Sequence, residues 1–353
     1  MTGRPGYNTH NIVPLNPRLP MATHWIGVDV GGTKILTGLF DANFKLVARS
    51  KQATKSEEGG AAVFGRIVQS VDAVIRDAGI EPALVRGLGL ALPGQIVPGG
   101  HLVRYAPNLG WRDFNLTPLF PAAWHWPVVI ENDVRMGTYG EWTHGAARGA
   151  RHVLGVFVGT GVGGGLILNG ELYNGFNGHA GEIGHIVLHW RKGTTLEMLA
   201  GRRAQMRRGQ ELLNEGPRTA RKQWKGIDPA NVKSKQLAEL YQADDPVAVQ
   251  LVDDAARALG AAIGSALNLL SPELIVLGGG VSGALGSSFL ERIWEIAQRF
   301  ALPRAAENVR FVSAALGDDS GIFGAAAFAA AKTTATRREA AGALVDAGAA
   351  PPS

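Results

Sequence analysis

One local pattern occurs twice in this chain, and it narrows the possible folds more than composition does. In the first half, Trp25–Val30 (WIGVDV) reads as a strand, Gly31–Thr33 turns it, and Lys34–Phe40 (KILTGLF) returns. Asp41, Ala42 and Asn43 turn the chain again before a third strand at Phe44–Ser50. In the second half, His152–Val158 (HVLGVFV) is a strand, Gly159–Gly164 (GTGVGG) a turn and Gly165–Leu168 a strand. Asn169-Gly170, the strongest short hairpin signal, then leads to a third strand from Glu171. This self-similarity predicts an α/β protein made of two duplicated domains with a cleft between them.

The segments between fill out each copy. Val63, Phe64, Ile67, Val71, Val74 and Ile75 recur at helical spacing. Val85–Leu92 is a buried strand, Trp126–Asn132 is another, and Val134–Ala147 follows as a helix. A long helix covers Val247–Leu270, a strand Glu273–Leu277, and a last helix lies near Phe289–Phe300.

Composition removes several function classes. The chain has no cysteine, so disulfides, thiolate zinc sites and cysteine nucleophiles are excluded. The apolar stretches Val153–Leu168 and Leu259–Leu270 are too short, or too broken by glycine, to span a membrane. The polar, proline-rich start lacks the apolar core of a secretory signal, so residues 1–23 are expected to form a flexible tail. The alanine-rich end, 333–353, is expected to be a second tail. A net charge of +5 helps to attract an anion but does not by itself argue nucleic acid. Residues 191–225 carry ten Lys or Arg against three Glu, either a solvated helical face or a polyanion-binding surface.

Three glycine loops each follow a strand: Asp29–Lys34 (DVGGTK), Gly159–Gly165 (GTGVGGG) and Gly278–Gly283 (GGGVSG). Glycine lets backbone N–H groups approach phosphate oxygens, and threonine adds a hydroxyl donor. GTGVGGG satisfies G-x-G-x-x-G, but a strand and a hairpin follow it where a dinucleotide site needs a helix. Glu131–Val134 (ENDV) places Asn132 and Asp133 at the carboxyl end of a strand. Asp133 there could take a proton from a hydroxyl, or could simply cap the next helix. Gly178–His185 (GHAGEIGH) groups Glu182 and His185, and Glu197 follows. These groups suit paired hydroxyls of a polyhydroxylated ligand. His179, Glu182 and His185 could instead ligate a metal, but the spacing is not H-E-x-x-H and zinc would need a further ligand.

DVGGTK, LPG (Leu92–Gly94), PNLGW (Pro107–Trp111), END, GTGVGGG, GHAGEIGH, Leu196-Glu197 and PELIVLGGGVS (Pro272–Ser282) follow one another in an order that resembles the ROK family of bacterial sugar kinases. The resemblance implies actin/hexokinase-like (ribonuclease H-like) domains. A small domain would span 24–133, completed by a C-terminal helix at about 319–332, and a large one 134–318. It implies transfer of phosphate from ATP, with Mg²⁺, to a hexose, first of all to the 6-hydroxyl of glucose. Asp133 would be the catalytic base. Asn108, Asn132, Glu182, His185 and Glu197 would hold the sugar. Asp29, Gly31, Gly32, Thr33 and Lys34 would serve phosphate and Mg²⁺. Gly159, Thr160, Gly161, Gly163 and Gly164 would cradle other phosphates, and Gly278, Gly279 and Gly280 would lie near the adenosine. A cytoplasmic homodimer with no nucleic-acid or membrane partner is implied as well.

The chain departs from the family at one place. Many members carry a cysteine zinc loop between this histidine and this glutamate, whereas here the link is the shorter Ile186–Leu196, and no zinc is expected. Alternatives are a polyphosphate-dependent hexose kinase, a kinase for another hexose or N-acetylhexosamine, and a non-catalytic sugar sensor. The family's repressors need a DNA-binding module, for which the residues before Trp25 are too few.

Overall fold

The computed structural model describes residues 23–215 and 223–348. Residues 1–22, residues 216–222 of the basic stretch and residues 349–353 lie outside the described residues, and with them most of the N-terminal tail and the end of the C-terminal one.

The repeated pattern becomes two five-stranded sheets of the same strand order. In the first, β1 (His24–Val30), β2 (Lys34–Phe40), β3 (Leu46–Ala53), β4 (Val85–Leu92) and β5 (Val128–Asn132) run 3-2-1-4-5. In the second, β6 (Val153–Val158), β7 (Val162–Leu168), β8 (Glu171–Leu172), β9 (Leu274–Gly278) and β10 (Arg310–Ser313) run 8-7-6-9-10, the same order. Each sheet has an antiparallel meander on one side and parallel strands on the other. The central strands β1, β4, β6 and β9 are apolar on both faces because helices cover both faces.

Helix α1 (Gly60–Ala78) packs on β2 and β3 and buries its apolar stripe in the core that also holds Ile26, Val28, Leu88 and Leu90. Two helices, α2 (Asp133–Thr143) and α6 (Ser320–Gly348), lie between the sheets. On the second sheet's outer face lie α4 (Pro246–Leu270) and α5 (Gly280–Phe300), which with α3 (Arg202–Glu215) share its large core. α6 lies directly on β1 and β4, where a Cβ at Gly89 would overlap the Ala325 carbonyl oxygen. It also crosses α2 so closely that a Cβ at Gly324 would overlap the Met136 carbonyl oxygen. α2 in turn packs on the second sheet through Met136 and Tyr139, against Val153, Ile167 and Val276.

Several boundaries differ from the sequence reading. β3 begins at Leu46, not Phe44, because Asp41 Oδ1 accepts from the N–H groups of both Asn43 and Lys45 and extends the turn. β7 begins at Val162, so Gly163–Gly165 are strand residues and the turn is only Gly159–Gly161. α2 stops at Thr143, where Glu141 captures the Ala146 N–H. α5 begins at Gly280, nine residues before Phe289, and is broken at Gly286 (φ 75°), so the expected helix is its second half. α6 runs on to Gly348, past the expected start of a tail at 333, as its alanine-rich sequence favours.

Candidate active site

The carboxyl ends of the parallel strands carry the polar residues. β1 ends in Asp29-Val30 before the glycine turn, in which the Gly31 N–H donates to the Lys34 carbonyl at 2.8 Å. β5 ends in Asn132, and α2 starts at the next residue. The helix-capping role that the sequence offered to Asp133 falls instead to its neighbour. Asn132 is the cap: its Oδ1 accepts from the Val134 N–H at 3.0 Å and the Arg135 N–H at 3.1 Å. Its Nδ2 donates to the Gly94 carbonyl at 3.2 Å, leaving one amide hydrogen for a ligand.

Asp133 is the first helical residue. Its Oδ1 accepts from the Val134 N–H at 2.9 Å. Burial pushes its carboxyl up to about 6, against the lowering effect of that N–H; the charge of Glu182 raises it further. Asp29 is pushed up to about 7, first by burial, then by the charge of Asp133, against the pull of Lys34. Two half-buried carboxyls, one on β1 and one just after β5, thus lie close enough for the charge of one to raise the pKa of the other.

A buried polar network stands behind Asp133, and sequence reasoning missed it. Arg135, 2% exposed, pairs with Glu131 at 3.1 Å and with Glu182 at 3.6 Å and donates to the Gly178 carbonyl. Asn174 Nδ2 donates to the other Glu131 oxygen at 2.6 Å. The network ties the 174–182 segment to the start of α2, and so aims Glu182 toward Asp133. The one sequence signal was the Glu131/Arg135 spacing of four, hidden by its crossing from a strand into a helix.

Glu197 opens a single helical turn, Glu197–Ala200. Its Oε2 accepts from the Val162 N–H at 2.9 Å, so this carboxylate also braces the Gly159–Gly161 turn and keeps Oε1 for another partner. His185 ends the short turn Ile183–His185 with its side chain exposed. Residues Val187–His189 and Thr194–Thr195 pair as a small hairpin, closed by the Leu196 N–H on the Ile186 carbonyl at 2.9 Å. Backbone pairing orders this link. Asn108 is exposed, with its backbone and Cβ against Gly32. Among the described residues no group of three or more His, Cys, Asp or Glu forms a metal cage.

The expected phosphate residues fall into two sets. Gly31, Gly32 and Thr33 form the first turn; Lys34 leaves it and pairs with Asp318 at 2.6 Å. Gly159, Thr160 and Gly161 form the second turn, whereas Gly163 and Gly164 do not belong to it. They lie in β7, where Gly163 faces Val134 and Gly164 faces the Gly181 carbonyl, so close packing explains both. Gly278 ends β9 behind the Phe157 ring. Gly279 has φ 92° and lies against the Val158 carbonyl, a place open only to glycine. A Cβ at Gly280 would meet the Ser234 hydroxyl at 3.8 Å, an ordinary contact.

The chain is similar to the glucokinase of Halalkalibacterium halodurans, 34% identical over 316 residues, which are 86% of this chain and 94% of that protein. It is similar to a crystal structure of a ROK family glucokinase from Streptomyces griseus in complex with glucose and AMPPNP, with TM-score 0.75 and 30% identity over 87% of this chain and 99% of that one. The ROK hexokinase of Thermus thermophilus gives TM-score 0.73 and 31% identity over 88% and 99%. These neighbours carry the actin/hexokinase-like fold that the two matching sheets display. The ROK family model matches residues 25–332, nearly every described residue of both sheets and the helices between them, and the chain belongs to the ROK family.

Proposed function

We propose that this sugar kinase transfers the terminal phosphoryl group of ATP to the 6-hydroxyl of glucose. The observation that carries the proposal is Asp133: a half-buried carboxyl at the N-terminus of α2, pushed up to about 6, close to Asp29 and Glu182. The glucokinases at 30% identity and above support the reaction and the sugar.

In this reading Asp133 takes the proton of the hydroxyl as its oxygen attacks the terminal phosphorus and the bond to the leaving ADP oxygen breaks. A carboxyl near 6 suits that task, because it is ionised at neutral pH and still basic. Glu182, His185, Asn108, the free hydrogen of Asn132 and Oε1 of Glu197 hold the sugar hydroxyls. The turns Gly31–Thr33 and Gly159–Gly161 present N–H groups and hydroxyls to the phosphates. Asp29 is an oxygen ligand in a place that raises its pKa, which fits a hard cation carried on the donor's phosphates. Such an ion, Mg²⁺, supplies charge neutralisation of those phosphates.

The small unit 24–133 with the first part of α6, and the large unit 134–318, would close on the two substrates and exclude water, which competes as acceptor. The enzyme works in the cytoplasm as a homodimer on this reading. A coupled assay with Mg·ATP across a hexose panel tests it. Turnover of glucose above the other sugars is the expected result. Turnover confined to another hexose would replace the substrate, and sugar binding without turnover from any donor would reject the assignment of Asp133.

A further inference from the structure

The basic stretch of the sequence passes the Gly159–Gly161 turn at Arg202. α3 starts where the chain docks on Gly159–Gly161: the Arg202 N–H donates to the Gly159 carbonyl at 3.0 Å, and the Arg203 N–H to the Thr160 carbonyl at 3.1 Å. Gly201 lies beside Gly161 and the Thr160 carbonyl, and Glu197 holds the Val162 N–H from below. Four contacts thus fix the start of α3 relative to the turn. The Arg202 side chain then reaches back over it, with Nη2 3.4 Å from the Thr160 hydroxyl.

Arg202 is half-buried and has no carboxylate partner among the described residues. The other cation at the phosphate turns, Lys34, is occupied by Asp318. Arg135, the other arginine of the site, is already paired with Glu131 and Glu182. A guanidinium has five N–H donors in a planar fork, and Thr160 uses one of them. The remainder suit phosphate oxygens, which accept two parallel N–H bonds.

We propose that Arg202 is a donor-site residue of this chain: its guanidinium, seated on Thr160, binds the phosphoanhydride chain of the phosphoryl donor. The assignment rests on the kinase reading for the identity of the donor, but not for its binding chemistry. Arg203 and Arg207, exposed one turn apart on α3, extend the positive charge away from the turn.

The test compares the wild-type chain with Arg202→Ala and Arg202→Lys. Arg202 is partly exposed and makes no buried ion pair, so both variants should fold, checked by unchanged Tm. Inorganic tripolyphosphate binding by calorimetry needs no turnover and reads the site directly. Arg202→Ala should weaken it about tenfold or more, and Arg202→Lys by less. Glucose binding should stay within twofold in both. In the coupled assay Arg202→Ala should raise the KM for ATP by a similar factor. Tripolyphosphate bound equally by all three proteins would overturn the proposal, even if ATP turnover fell. Tight tripolyphosphate binding lost in Arg202→Ala, with no ATP turnover in the wild type, would uphold the site and reject ATP as the donor.

Discussion

At the scale of single residues, the chemistry depends on where one proton resides. The Asp133 carboxyl, pushed up to about 6, must be ionised to act as base, so kcat/KM should rise with pH through about 6 and level above it. A profile flat between pH 5 and 7 would remove Asp133 from that role. Asp133→Asn should bind sugar nearly as well and lose about 10²–10⁴ in kcat, the usual contribution of a general base. The same variant should be more stable. A carboxyl raised from 3.8 binds its proton more tightly in the folded state, so its stability contribution is fully present below pH 4 and is lost as pH rises through about 6. At pH 7 the ionised form costs at most about 3 kcal/mol at 1.36 kcal/mol per pH unit, less what cleft water recovers. Thermal melts should therefore show Asp133→Asn above the wild type at pH 7, with the gap closing toward pH 4. A lower Tm at pH 7 would contradict the buried-charge account.

At the scale of elements, most of the fold was legible and the boundaries were less so. The hairpin at Asn169-Gly170 was unambiguous, and both residues take positive φ, 57° and 79°. β7 was read late because Gly163 and Gly164 look like loop in a sequence; only the neighbours, Val134 and the Gly181 carbonyl, show that they are strand residues forced small. The place of α6 was legible from the resemblance alone, since nothing in its alanine-rich run says that it packs against β1 and β4. That packing leaves no room for a side chain at Gly89. Gly89→Ala should destabilise the protein by about 3 kcal/mol, the upper end of the cost of overpacking, measured by denaturant unfolding. A cost below about 1 kcal/mol would mean that α6 shifts easily.

At the scale of the whole molecule, the two sheets communicate through α2 and α6. One residue, Glu141, joins them and was invisible in the sequence. Its carboxylate is fully buried and accepts from the N–H groups of Ala146, Ala315 and Leu316 and from the Ser320 hydroxyl, at 2.8–2.9 Å. It thereby fixes the end of α2 to the loop that carries Asp318 and starts α6. Glu141→Gln replaces one accepting oxygen with a donor and should strand buried N–H groups, costing about 1–3 kcal/mol. Because Asp318 holds Lys34, the variant should also raise the KM for ATP more than the KM for glucose. Equal effects on both would reduce Glu141 to a purely structural clamp.

The sequence by itself determined the duplication, the strand ends beside which Asp29, Asp133 and the two glycine turns lie, and the absence of thiolate chemistry, because these follow from local periodicity, glycine spacing and residue count. Tertiary structure alone decided which side chains are already engaged. Asn132 caps α2, Lys34 goes to Asp318, Glu197 shares itself with the Val162 N–H, and Arg135 disappears into a buried network with Glu131 and Glu182. The physical reason is range. Hydrogen bonds and ion pairs act over a few ångströms, and their partners here lie from two to nearly three hundred residues apart in the chain.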